Sequence, residues 1–123
     1  MIKHKYGEFA DLQFDEAKES IRKRIFFLLL LGEDIYKQTN KYPDIDVYQA
    51  YKSLMWELSG LNELLGEPKE IITVLSLLEE AKINLETDFN WEKYRKLILD
   101  AGAKIEKVAC PYINQSAKNA LQN

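Results

Sequence analysis

The chain reads as all-α: an antiparallel, up-down bundle of four main helices, with room for a short fifth helix after Pro111. Three observations predict this. Four separate segments carry apolar residues at steps of three and four, the period of a helix buried along one side. Each segment ends at a stop signal: Tyr42-Pro43-Asp44, Gly66-Glu67-Pro68, Thr87-Asp88-Phe89-Asn90 and Cys110-Pro111. Strand-like alternation is confined to Ile2-Lys3-His4-Lys5-Tyr6, and 5 Gly and 3 Pro are too few for the frequent turns of a β-sandwich.

The first helix is expected to start between Asp11 and Asp15 and to run to about Asn40. Its stripe is Phe14, Ala17, Ile21, Ile25, Leu28, Gly32, Ile35 and Thr39. Gly32 lies on that stripe, where a missing side chain lets a neighbour approach closely; a break into two shorter helices is the rival reading. The second helix follows Pro43, with Asp44 as N-cap and Asp46 in the first turn, where a carboxylate opposes the helix dipole favourably. Val47, Tyr51, Leu54, Leu58, Leu61 and Leu65 form a heptad seam suited to shallow-angle packing, and Gly66 stops the helix.

The third helix is expected to open with Pro68 at its first position, where the missing N–H costs nothing, and to end near Glu86-Thr87. Its stripe is Ile71, Leu75 with Val74, Leu78, Ala81 and Leu85. The fourth begins after Asp88 or Asn90 and buries Trp91, Tyr94, Ile98, Ala101, Ile105 and Val108-Ala109. Gly102 beside Ala101 suggests tight packing there too, and Pro111 ends or kinks the helix. The short connections imply antiparallel neighbours. Residues 1–123 therefore make one domain, with a flexible N-terminal arm over 1–10 and a weakly ordered tail or short helix over 111–123, using Ile113, Ala117 and Leu121.

Composition narrows function mainly by exclusion. The net charge is −3 and the isoelectric point is near 5.3, which opposes non-specific nucleic-acid binding driven by phosphate neutralisation. The single cysteine, Cys110, forms no internal disulfide and fits a reducing compartment. No secretory pattern opens the chain, and the apolar run Ile25 to Leu31 would rise only ~10 Å as a helix against a bilayer core of ~30 Å. A cytoplasmic protein without membrane contact is expected.

Catalytic patterns are missing. The lone histidine, His4, leaves a nucleophilic triad without a base and a Cys/His zinc site without ligands. A di-iron bundle needs paired Glu-x-x-His motifs, and the chain has none. Glu16 and Glu19 have the spacing of one Mg²⁺-binding pair but no matching second set, so a Mg²⁺-dependent hydrolase ranks last. No phosphate-cradling glycine loop is present, and neither catalytic residues, metal nor cofactor are expected.

Apolar surface, in contrast, exceeds one bundle stripe. Ile25 to Leu31 covers the whole circumference of the first helix, so that Phe26 and Leu30 point away from Ile25 and Leu28. The plain reading is a central helix packed on both sides; the sharper one buries Phe26, Phe27 and Leu30 against another chain. Trp56 lies opposite the Leu54/Leu58/Leu61 seam, among Gln49, Lys52, Ser53 and Gly60. It either folds over the helix edge or anchors an interface, and Tyr48 beside the seam suits either role.

The functional expectation is a non-enzymatic protein-binding module, acting by surface occlusion or assembly through Phe26, Phe27, Leu30, Trp56 and Tyr48. Its partner is another protein chain or a second copy docked through the first helix. In size and composition the chain resembles the small acidic helical bundles common among bacterial immunity proteins, antitoxins and phage-encoded inhibitors; no motif carries a functional residue across. The alternative is a small subunit of a nucleoprotein complex, touching phosphates through Arg22, Lys23, Arg24, Lys93, Arg95 and Lys96.

Overall fold

A computed structural model describes residues 2–4, 7–9 and 11–108. Two short strands, β1 (Ile2–His4) and β2 (Gly7–Phe9), precede four helices: α1 (Asp11–Lys37), α2 (Val47–Leu64), α3 (Lys69–Glu86) and α4 (Trp91–Glu106). The strands pair antiparallel, with Ile2 opposite Phe9, Lys3 opposite Glu8 and His4 opposite Gly7. The brief alternation at Ile2-Lys3-His4 thus forms one strand of a ribbon within the expected arm. The fifth-helix positions Ile113, Ala117 and Leu121, together with Pro111 and Cys110, lie outside the described residues.

The helices form the antiparallel four-helix bundle that the periodicity predicts. Each packs on the next, and α4 closes against α1. Lys18 near the start of α1 meets the end of α4, Gly32 meets Tyr94, and Tyr36 stacks on Trp91 at 5.7 Å, so α1 and α4 run in opposite directions. α4 makes the most extensive contacts, with α3 and α1, whereas α2 is held less closely by both its neighbours. Among the described residues no helix is long and apolar enough to cross a membrane.

Several predicted boundaries shift by a turn or less, each for a local reason. α1 stops at Lys37 rather than near Asn40, because Gln38 and Asn40 take left-handed backbone with φ of 54° and 52°. The exposed Ile35 and Thr39 therefore leave the expected stripe, and Leu31 joins Ile21, Ile25 and Leu28 inside it. The N-cap of α2 is Asp46, not Asp44: its carboxylate accepts from the backbone N–H of Tyr48 at 2.9 Å and of Gln49 at 3.3 Å. Gly66 follows the α2 C-cap with φ of 80°, the left-handed conformation that glycine adopts without steric cost. Pro68 is the N-cap of α3 rather than its first helical residue. α4 opens on Asn90, whose side chain accepts from the Lys93 N–H at 3.0 Å.

The core is a continuous seam through all four helices, including Ile25, Leu28, Leu54, Leu58, Leu78 and Ile98. Each such side chain, fully buried, contributes about 1.5–3 kcal/mol relative to exposure. On α3 the buried position is Val74, with Leu75 half-covered, and Asn84 is buried where an apolar Leu85 was expected. Asn84 stays satisfied because its Oδ1 accepts from the Asn90 N–H at 3.0 Å, tying the end of α3 to the start of α4. Gly32 keeps α1 as one continuous helix and receives the Tyr94 ring, so of the two readings of that glycine the close approach is the one realised. Tyr51 donates to the Tyr94 hydroxyl, which donates to the Leu28 carbonyl, both at 2.8 Å in the interior. Burial pushes both phenols well above the ordinary tyrosine range.

Candidate functional site

Two surfaces group exposed apolar residues beside grooves, while Ile35, Tyr36, Ile45, Ile72 and Ile83 are exposed elsewhere. The first is the outer face of α2. Trp56 is 82% exposed and stands on a ridge between two grooves. On one side, between α2 and α3, an open groove of about 780 Å³ is lined by Tyr48, Lys52, Met55, Trp56, Lys82 and Glu86 among others. On the other, between α1 and α2, a groove of about 570 Å³ is lined by Ala17, Ile21, Trp56, Gly60, Leu61 and Leu64 among others. The helix geometry explains the exposure: Tyr51, Leu54, Leu58 and Leu65 point inward, which turns Trp56 outward among Lys52, Ser53, Ser59 and Gly60. Ser53, Ser59 and Gly60 are too small to cover an indole, and Trp56 does not fold over the helix edge. Tyr48, one of the predicted contact residues, is 43% exposed at the mouth of the α2/α3 groove.

The second surface lies between α1 and α4. Phe26, 52% exposed, rims an apolar groove of about 210 Å³ with Ile25, Ile98, Leu99, Gly102 and Ala103. Gly102 does not mediate the tight packing expected of it. The nearest atom to a Cβ built there is Ile25 Cγ2 at 4.0 Å, so its missing side chain deepens the groove instead. Leu99 was missed in the sequence because it sits one position beyond the α4 stripe; only its proximity to Phe26 across the bundle makes it part of a patch.

The predicted second face of α1 divides. Phe27 is half-buried and packs edge-on against Tyr42, ring centroids 5.3 Å apart, so the loop before α2 covers it. That loop is held by Asp34, whose carboxylate accepts from the Lys41 N–H at 2.8 Å and from the Thr39 hydroxyl. These hydrogen bonds, the backbone one first, lower the Asp34 pKa below its ordinary value. Leu30 is half-buried. Of the three apolar residues read on this face, Phe26 is the exposed one.

Half of the six basic side chains in the two clusters are engaged by carboxylates. Arg22 donates to both oxygens of Glu19, at 3.0 and 2.6 Å, and lies 3.4 Å from Glu106. Arg24 pairs with Glu57 and donates to Ser53 Oγ at 3.0 Å. Lys93 lies 3.6 Å from Glu80. Lys23, Arg95 and Lys96 are exposed. The Arg22 fork also lowers the Glu19 pKa, so this member of the Glu16/Glu19 pair is already bound to a cation within the chain. Among the described residues no group of three His, Cys, Asp or Glu side chains is arranged to hold a metal ion.

Compared with known proteins, the chain matches no family model, no curated protein and no solved structure. The functional reading therefore rests on the residues themselves.

Proposed function

We propose that the protein is a non-enzymatic binding module of the cytoplasm, a helical bundle that recognises another protein chain through the outer face of α2 and the Phe26 groove. It acts by occluding a partner's surface or by assembling with it, as an inhibitor, an immunity or antitoxin-like protein, or a small subunit of a complex does. The observation that carries this reading is Trp56. An indole left 82% in water beside two open grooves gives up much of its burial free energy in the lone chain, and buried tryptophans are enriched among the residues that dominate interface energetics. Phe26 and Leu99 add a second apolar patch of the same kind.

The nucleoprotein alternative is weaker. Arg22, Arg24 and Lys93, half of the side chains it relies on, sit in ion pairs that phosphate would have to displace.

The test is affinity capture with the wild-type chain, Trp56→Ser and Phe26→Ser, each checked for folding by circular dichroism. A specific partner held by the wild type and released by at least one variant supports the reading, with a loss of about 2 kcal/mol or more for a true anchor. A partner retained equally by both variants refutes the site.

A further inference from the structure

The outer face of α2 is built to match itself. Lys52, Ser53, Trp56, Ser59 and Gly60 are all exposed on it. Trp56 is a large projection; Gly60, one helical turn further on, leaves open space where a side chain would stand, at the wall of the α1/α2 groove. Trp56 and Gly60 also share the α1/α2 groove, whose remaining lining includes Ala17, Ile21 and Leu64. A knob and a hole side by side on one helix exchange places under a two-fold rotation, which is the requirement for an isologous interface.

We propose that this face forms a symmetric homodimer, in which α2 of two copies cross antiparallel and each Trp56 seats over the partner's Gly60. The proposal rests on reading the Trp56 surface as a binding surface and names its occupant as a second copy of this chain. An axis midway between Trp56 and Gly60 crosses α2 at the level of Leu58. The same axis places Lys52 of each copy level with the last turn of the other α2. That turn holds no basic residue of its own and is followed by the exposed Glu67. A cation beside the negative end of a helix dipole is stabilising, so charge and shape agree on one arrangement. Ser59, small and flanking Trp56, lets the two backbones approach.

Sedimentation equilibrium from about 1 μM to 1 mM tests this on the wild type, Trp56→Ser, Lys52→Glu and the double variant Lys52→Glu/Glu67→Lys, with circular dichroism confirming each fold. The wild type should dimerise with rising concentration. Trp56→Ser should raise the dissociation constant about thirty-fold for each anchor lost, and on the order of 10³-fold because the interface holds two. Lys52→Glu should weaken the dimer and the charge-swapped double variant should restore it. A wild type that stays monomeric throughout overturns the proposal, as does a dimer that Trp56→Ser leaves intact. A monomer that still captures a different chain in a Trp56-dependent way refutes the second copy while the binding reading stands; a monomer without such capture refutes both.

Discussion

Replacing Gly32 by alanine should destabilise the protein, although alanine is the better helix former. A Cβ built at Gly32 falls 2.2 Å from Tyr94 Cε1, 2.7 Å from Cδ1 and 3.0 Å from Cζ. Two of these separations are shorter than non-bonded carbon atoms tolerate, so the ring or the α1 backbone has to move. The ring is not free to move. Its hydroxyl donates to the Leu28 carbonyl and accepts from Tyr51, and its face packs near Phe89 and Trp91. Overpacking of this kind costs about 1–3 kcal/mol, and loosening the buried hydrogen bonds adds about 1 kcal/mol for each one weakened. Against this stands roughly 1 kcal/mol of improved helix propensity. The net expectation is a loss of about 2–4 kcal/mol, which at a denaturant slope of about 2 kcal/mol/M lowers the urea midpoint by about 1–2 M. Gly102→Ala is the control. The same substitution in α4 meets nothing closer than 4.0 Å and should raise stability by about 0.5–1 kcal/mol. A Gly32→Ala variant as stable as the wild type would refute the claim that Tyr94 is locked against α1.

The buried tyrosine pair predicts alkaline lability. Both phenols keep their protons in the folded chain at pH values where the unfolded chain loses them, so stability is complete below about pH 10 and falls above it by about 1.4 kcal/mol per pH unit for each phenol. Urea titrations between pH 9 and 11 should show that fall, and Tyr51→Phe should reduce its slope by about half. At neutral pH Tyr94→Phe should cost more than Tyr51→Phe, about 1–3 against about 1 kcal/mol, because it strands the Tyr51 hydroxyl while the reverse change leaves Tyr94 bonded to Leu28. Asp46→Ala should remove about 1 kcal/mol by uncapping α2, and Asp44→Ala almost nothing; equal effects in thermal melts would contradict the assignment of the cap.

The fold was legible because a buried helix face repeats at a period that no loop interrupts. Tyr51, Leu54, Leu58 and Leu65 announce the inner side of α2, and Gly66 its end, by spacing and residue type alone. The errors fall where a side chain competes with that period. Asp44 and Asp46 are both good caps in isolation, and only the backbone N–H groups of Tyr48 and Gln49 decide between them. Asn84 looks like a surface residue until the N–H of Asn90, arriving from the next helix, gives it a buried partner. Gly32 and Gly102 look equivalent, each on an apolar stripe; one receives the ring of Tyr94 and the other faces open space.

The surface was legible only where no distant segment could intervene. Phe26 and Phe27 are neighbours of the same type, and nothing in their spacing separates them. What separates them is Tyr42, which lies on Phe27 because Asp34 gathers the Thr39 hydroxyl and the Lys41 N–H into the loop that carries it. Phe26 faces α4, where Gly102 and Ala103 are too small to cover it. Trp56 is the opposite case. Its neighbours on the helix wheel are small or polar, the seam behind it already commits α2 to one orientation, and among the described residues no loop reaches that side to cover it. Its exposure thus follows from the inward placement of Tyr51, Leu54 and Leu58. Among the described residues nothing reaches the indole, and that unmet apolar area is what the binding reading assigns to a second chain.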